Sequence, residues 1–346
     1  MGLTGGEFIT IMHSMRPFTA TPKSIAIYLV RICFLLLLCW YLFCLYVPPG
    51  SGKIVYDCSF PPGSGIRKLA AELKSAGIIR SSWHFILVAR LRGESRRLKA
   101  GDYRFTDAMD PEAILHKVVS GDVDYRRFVL PEGYSIFQAA DLLEQNGYFP
   151  KDEFLEKCRD KDLLDRLGIH AGSVEGYLYP ATYNLQRNET PEQLIEEMVG
   201  QFNKVYGKLE GEGGNIELSR PEIITLASII EKEAVSPDEK PLIASVFYNR
   251  LKLGMPLQSD PTAVYSVRAF AGKVTKADIE RHTPYNTYVI PRLPPGPIGN
   301  PGADSIRAAM SPAQTDYLYF VARKDGTHQF SASIDEHNRA VAKYLR

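Results

Sequence analysis

Residues 25–47, IAIYLVRICFLLLLCWYLFCLYV, form an apolar run of 23 residues broken only by Arg31 and ended by Pro48-Pro49-Gly50. A helix needs about 20 apolar residues to cross a bilayer, and an arginine near one end reaches the interface along its aliphatic stem. Trp40, Tyr41 and Tyr46 are residue types that settle at the far headgroup layer. A cleaved signal peptide is the alternative. The run is longer than the usual apolar stretch of roughly 7–15 residues, however, and no small-x-small cleavage site follows. The sequence therefore predicts an uncleaved transmembrane helix over 25–47. Arg16, Lys23 and Arg31 precede the span or lie near its start, which places a 1–24 tail in the cytoplasm and about 300 residues outside it. Met12 and Met15 are alternative starts.

The rest reads as an ordinary folded chain. Its 346 residues suggest two or three domains. Hydrophobic residues at 45% and charged residues at 23% exclude a disordered chain, a collagen-like repeat and a polytopic membrane protein. Lys+Arg 41 against Asp+Glu 40 leaves a net charge of +1, so no global field holds a nucleic-acid backbone, and no nucleic-acid partner is expected. Of five cysteines, Cys33, Cys39 and Cys44 lie in the span as small lipid-facing residues. Only Cys58 and Cys158 remain outside, where pairing is open.

A repeat follows the span. Phe60-Pro-Pro-Gly-Ser-Gly-Ile-Arg-Lys-Leu-Ala-Ala-Glu-Leu-Lys-Ser-Ala-Gly matches the segment from Leu130 to Gly147 at an offset of 70. Pro61/Pro131, Gly63/Gly133, Ile66/Ile136, Ala70/Ala140, Leu73/Leu143 and Gly77/Gly147 coincide. Each copy reads as a strand, a Pro-x-Gly turn and a helix with apolar residues at i, i+3, i+4 and i+7 that stops at glycine. LKAGDYRF (98–105) is a further strand and PEAILHKVV (111–119) a helix between the copies. Residues 53–158 thus read as two small α+β modules that resemble a degenerate LysM unit, a βααβ fold that binds N-acetylglucosamine chains. The competing reading is a generic α+β connector.

From residue 160 a mixed helix and strand domain is expected, giving an α+β fold class overall. DLLDRLGI and PEQLIEEMVGQFNKVYGKL are helices around the aromatic-rich VEGYLYPATYNL (174–185). GEGGN (211–215) is a flexible joint. RPEIITLASIIEKEAV (220–235) is a helix with Pro221 in its first turn, and KPLIASVFYNRLKLG (240–254) another ending at Gly254. Residues 255–301 are rich in loop formers. ADSIRAAM is a helix, DYLYFVARKDGTHQF a hairpin, and a terminal helix closes the chain.

The chain has no GxGxxG, P-loop, HExxH, Cys-x-x-Cys, GxSxG or Ser-x-x-Lys motif, and its histidines show no ligand spacing, so no metal or cofactor is expected. Carboxylates remain. On the 220–235 helix, at about 100° per residue, Ile223, Ala227, Ile230 and Ala234 centre one stripe and Lys232 lies opposite, in solvent. Glu231 and Glu233 fall on opposite margins, about 160° apart, and cannot form a dyad in one site. A carboxyl at an apolar margin has its pKa raised by desolvation, as a general acid requires. The wheel does not choose between the two, and a solvated Glu-Lys-Glu helix end is the alternative. Downstream, Gln258, Asp260, Tyr285, Asn286, Thr287 and Tyr288 gather amide, hydroxyl and aromatic groups suited to stacking on and hydrogen-bonding to sugars. Tyr177, Tyr179 and Tyr183 extend such a cleft or fill the core. The Gly-Asn-Pro-Gly loop (299–302) reads as turn punctuation.

Together LASIIEKEA, SVFYNRL, GMPLQSDPTAVY, PYNTYVIPRLPPGPIGNPG, SIRAAMSP and YLYFVARKDGTHQFS, with the upstream LKAGDYRF and EGYLYPATY, resemble the MltG/YceG-like family of endolytic murein transglycosylases. The resemblance covers roughly residues 25–346. It implies a bacterial inner-membrane protein with a periplasmic catalytic domain at 160–346. That domain would cut the β-1,4 bond between N-acetylmuramic acid and N-acetylglucosamine in nascent peptidoglycan and leave a 1,6-anhydro end. The family's acid is the second glutamate of Glu-Lys-Glu, which matches Glu233. Gln258, Asp260, Tyr285, Asn286, Thr287 and Tyr288 become substrate-binding candidates, joined by Glu175 and Tyr179 of EGYLYPATY. The implied partners are glycan strands, the inner membrane and peptidoglycan synthases. A non-catalytic glycan-binding scaffold for those synthases is the reading from another class; an intact acid at position 233 favours the enzyme.

Overall fold

A computed structural model describes residues 22–212, 218–267 and 273–344. Most of the expected cytoplasmic tail, with Met12, Met15 and Arg16, and residues 213–215 of the expected joint lie outside the described residues. The chain divides into two compact units, Met1–Tyr125 and Arg126–Arg346.

In the first unit, α1 (Pro22–Tyr46) contains the apolar stretch Ile25–Cys44, long and apolar enough to cross a membrane. Strand β1 (Val55–Phe60) is followed by helices α2 (Ile66–Ser75) and α3 (Ser82–Leu91), then β2 (Gly101–Thr106) and α4 (Pro111–Ser120). β1 and β2 pair antiparallel from Val55 opposite Thr106 to Phe60 opposite Gly101. α2 buries Ile66, Leu69, Ala70 and Leu73, the i, i+3, i+4, i+7 stripe, against Phe60, Phe85, Tyr103 and Phe105. α4 starts at an Asp110 cap with Pro111 in its first turn and stops at Gly121, whose φ of 75° is left-handed. The segment after α1 is not a loose linker. Gly50 N–H donates to the Asp107 carbonyl, and Gly52 and Ile54 N–H donate to the Asp107 carboxylate at 2.7 and 3.2 Å.

The second unit contains β3 (Arg126–Val129), α5 (Ile136–Gln145), α6 (Lys151–Lys157), α7 (Lys161–Arg166), β4 (Thr182–Leu185), α8 (Pro191–Glu210), α9 (Arg220–Glu233), a single 3-10 turn (Pro237–Glu239) and α10 (Lys240–Lys252). Two short helices, α11 (Asp260–Val264) and α12 (Lys276–Glu280), follow, then α13 (Ala303–Met310), the hairpin β5 (Tyr319–Ala322) and β6 (His328–Ser331), and α14 (Ile334–Tyr344). Capping boxes at Ser135/Gln138 and Thr190/Gln193 start α5 and α8. β3 pairs antiparallel with β4 across the intervening helices.

The unit boundary falls inside the 53–158 region that the sequence groups together. Leu130, Ile136, Ala140 and Leu143 of the second copy pack in the core that holds α8 and α9. A repeat in sequence here does not make a repeat in packing, because each copy buries its helix against whatever follows it. Cys58 and Cys158 are buried in separate cores, and both are free. Burial pushes the Cys58 thiol up to about 12, with the Glu72 carboxylate beside it reinforcing the shift. Cys33 and Cys39 are exposed, whereas Cys44 is buried, since the C-terminal end of α1 packs against α3 and α4.

Candidate active site

Glu233 is the last residue of α9, and the packing of that helix differs from the expected amphipathic pattern. Every residue from Ile223 to Ile230 is buried, including Thr225 and Ser228, because α10 and α13 both pack against it. The two hydroxyls donate to the Pro221 and Thr225 carbonyls, and Ser228 also accepts the Ile298 N–H, so no buried polar group is stranded. Lys232, expected in solvent, is half-buried. Its stem lies beside Gly133 and Gly299 and its ammonium reaches Gln138 at 3.5 Å. Two loops remote in sequence cover that side, and desolvation lowers its pKa.

The two glutamates have different partners. Glu231 forms an ion pair with Lys240 at 3.0 Å, the side chains only 8% and 5% exposed, and accepts the Gly302 N–H at 2.9 Å. Glu233 accepts the Ser259 hydroxyl at 2.5 Å. Burial pushes the Glu233 carboxyl up to about 7; the Asp260 charge adds to the rise, while the Ser259 hydrogen bond and the His328 charge oppose it. At neutral pH a substantial share of Glu233 holds its proton.

Ser259 is held firmly. Its N–H donates to the Thr287 hydroxyl at 3.0 Å and its carbonyl accepts the Thr262 hydroxyl at 2.6 Å, with the two threonine hydroxyls 2.7 Å apart. Gln258 has a φ of 54°, unusual for a residue with a side chain, and its N–H donates to the Thr287 carbonyl. Arg250 grips the same turn through the Pro256 and Leu257 carbonyls and the Gln258 amide oxygen. Asp260 accepts the Tyr288 hydroxyl at 2.6 Å, and burial holds that phenol well above its ordinary value. Asn286 and Thr287 are fully buried. The Asn286 amide donates to the carbonyls of Asp278, Ile279 and Arg281. These two residues build the loop that presents the exposed Gln258 and Asp260.

Other candidates lie elsewhere. Glu175 and Tyr285 line a cavity of about 260 Å³ with Phe137, Arg159 and Tyr265. Glu175 is 3% exposed and accepts from Ile136 N–H at 3.1 Å, the Tyr265 hydroxyl at 2.8 Å and the Asn300 amide at 3.2 Å. Burial raises its carboxyl to about 7 against those hydrogen bonds. Tyr179 is half-buried, with Glu132 and Asp304 rather than Glu233 as its charged neighbours. Tyr177 and Tyr183 are core residues, 6% and 3% exposed.

The model of the YceG-like family matches residues 58–343. The chain belongs to that family. It is 34% identical over 311 residues to a Bacillus subtilis protein named endolytic murein transglycosylase, covering 85% of this chain and 86% of that one. A Streptococcus pneumoniae protein of the same name is 30% identical over 327 residues, covering 85% of this chain and 59% of its own. The crystal structure of a YceG-like protein from Listeria monocytogenes superposes with a TM-score of 0.56 at 34% identity, covering 84% of this chain and all of that one.

In this YceG-like chain the sequence reading missed three groups. Asn300, read as turn punctuation, is fully buried; it accepts the Leu178 N–H and donates to the Tyr134 carbonyl and to Glu175, tying three loops together. Ser259 stood between two candidates, yet only the fold brings it to Glu233. His328 carries no spacing signal in the sequence, yet its Nδ1 meets the Glu239 carboxylate at 2.9 Å and its N–H donates to the same group at 2.8 Å. The flanking glycine Gly299 is required by close packing: an added Cβ would stand 2.5 Å from the Gly133 carbonyl oxygen. Gly299→Ala is expected to lower stability by about 1–3 kcal/mol, the usual cost of overpacking, seen as an earlier thermal unfolding midpoint by circular dichroism.

Proposed function

We propose that this chain is a membrane-anchored lytic transglycosylase that cuts murein glycan strands, with Glu233 as its acid and then its base. The observation that carries the reading is the Glu233 carboxyl, pushed up to about 7 and hydrogen-bonded to Ser259 at the end of a buried helix, while Glu231 is held in an ion pair and Glu175, raised as far, is enclosed by the Ile136, Tyr265 and Asn300 donors. Ordinary glycosidases use two carboxyl groups, one as acid and one as base or nucleophile. Here the C6 hydroxyl of the muramyl residue serves as nucleophile. Glu233 gives its proton to the glycosidic oxygen as the C1–O bond breaks. The C6 oxygen bonds to C1, and its proton returns to Glu233, so no water is consumed. Gln258 and Asp260 orient the sugars from the loop that Asn286 and Thr287 hold in place, and Tyr288 steadies Asp260; Tyr285, Tyr179 and Glu175, which lie elsewhere, take no part in this step.

The names of the Bacillus subtilis and Streptococcus pneumoniae relatives support the substrate class. The apolar α1 supports a single-pass anchor with the catalytic unit on the periplasmic face of a bacterial inner membrane, where synthases elongate glycan strands. The β1-α2-α3-β2 order supports a LysM-like, glycan-binding reading of the first unit. The test is digestion of purified peptidoglycan by the full-length chain in detergent, with products resolved by mass. Anhydro ends are the expected result; reducing ends mean a muramidase and overturn the reading.

The raised pKa sets the direction of the pH profile. Activity requires the protonated acid, so it falls as pH rises through about 7. Ser259→Ala removes a hydrogen bond that favours the carboxylate, so the falling limb is expected to move to higher pH. Initial rates of anhydro-product release across pH 5 to 9, on the order of two units either side of that value, check it.

A further inference from the structure

Helix α3 is apolar on more sides than its own unit covers. Phe85, Val88 and Ala89 are buried in the first core. Trp83, Leu87 and Leu91, spaced i, i+4 and i+8, form a second apolar stripe on another face, and Trp83 and Leu91 are 64% and 72% exposed. A helix apolar on both sides is ordinarily covered on both.

Its place beside α1 identifies the cover. His84, next to Trp83, packs its ring 5.6 Å from that of Tyr41. Tyr41 lies three residues inside the outer end of the apolar stretch Ile25–Cys44, about 4.5 Å along the helix axis. The Arg80 guanidinium sits 4.7 Å from the Phe43 ring and donates to the Pro48 carbonyl at 2.9 Å. The start of α3 therefore stands at the depth where the span meets the headgroups. The Asp107 clamp on residues 50–54 leaves no slack to lift it away. Tryptophan favours that depth, and Arg80 and Arg90 complement negative headgroups, whereas Arg92 is already paired with Glu112 at 2.5 Å.

We propose that the Trp83–Leu87–Leu91 face of α3, with Arg80 and Arg90 beside it, lies in the headgroup layer of the membrane that α1 crosses and binds anionic phospholipid there. The proposal rests on α1 being the anchor, and the experiment separates the two. Full-length protein carrying Trp40→Phe, which leaves Trp83 as the sole tryptophan, is reconstituted into phosphatidylcholine vesicles with or without phosphatidylglycerol. Flotation after a carbonate wash reports the anchor; protein that does not float overturns both readings. In floated vesicles the expected result is a blue-shifted Trp83 emission that acrylamide reaches poorly. Lipid brominated near the carbonyl end of its chains should quench it, and brominated phosphatidylglycerol more than brominated phosphatidylcholine. Leu87→Asp with Leu91→Asp, at unchanged circular dichroism, should lose that quenching. A red-shifted, acrylamide-accessible Trp83 in floated protein overturns the proposal alone. So does a blue-shifted emission that brominated lipid leaves untouched, which would mean that a second copy or another protein covers the face. Equal quenching by the two brominated lipids overturns the anionic preference.

Discussion

Glu233→Gln is expected to abolish formation of anhydro ends from peptidoglycan while leaving the protein folded. A positioned general acid contributes roughly 10²–10⁴-fold to a rate, and here the same group also serves as base, so the loss belongs at the upper end of that range. The amide keeps the shape and accepts the Ser259 hydroxyl, but it has no proton to give. The variant should also gain stability relative to the parent at alkaline pH. The folded carboxyl titrates near 7 against an ordinary 4.5, so its stability contribution is complete below 4.5 and is lost as pH rises through about 7. The glutamine does not ionise and keeps that contribution. Thermal unfolding at pH 8, roughly one unit above the folded pKa, should therefore show the variant at least as stable as the parent. A Glu233→Gln protein that still released anhydro ends at the parental rate would remove this residue from the chemistry.

Glu231 should behave in the opposite way. Its carboxylate and the Lys240 ammonium are both buried, and removing one partner of such a pair leaves an uncompensated charge, at a cost of about 3–5 kcal/mol. Lys240→Met is expected to lower stability by that amount, measured by urea unfolding. Glu231→Gln also weakens the grip on the Gly302 N–H and should lower the unfolding midpoint. At a temperature where it remains folded, it should still release anhydro ends with a pH profile like the parent's. If instead Glu231→Gln lost all activity while folded and Glu233→Gln did not, the assignment within the motif would be reversed.

The elements were legible because their causes are local. The capping residues of α5 and α8, Pro111 and Pro221 in first turns, and the glycines after α2, α4, α5 and α10 are written within a few residues of the structure they cause. The long apolar helix within 25–47 was equally plain, since length and apolarity are written in consecutive residues. Less visible was the boundary. The two copies of the repeat look alike in sequence, but Leu130 and Leu143 pack with α8 and α9, a matter of which core lies nearest.

Within the candidate site, residue types alone point to carboxylate chemistry, and their positions to the divergence of Glu231 and Glu233. Helical spacing alone requires the second point. The tertiary structure decided what each one meets. The partners of Glu231 lie 9 and 71 residues away, that of Glu233 lies 26 away, and Asn300 and Glu175 join across 125. No periodicity encodes such distances. The same holds for Lys232, which a helical wheel puts in water and two distant loops cover, and for the α3 face, whose apolar stripe takes on meaning only beside Tyr41. Local spacing sets the direction in which a side chain leaves its helix; the folded neighbours set its solvent, its charge and its work.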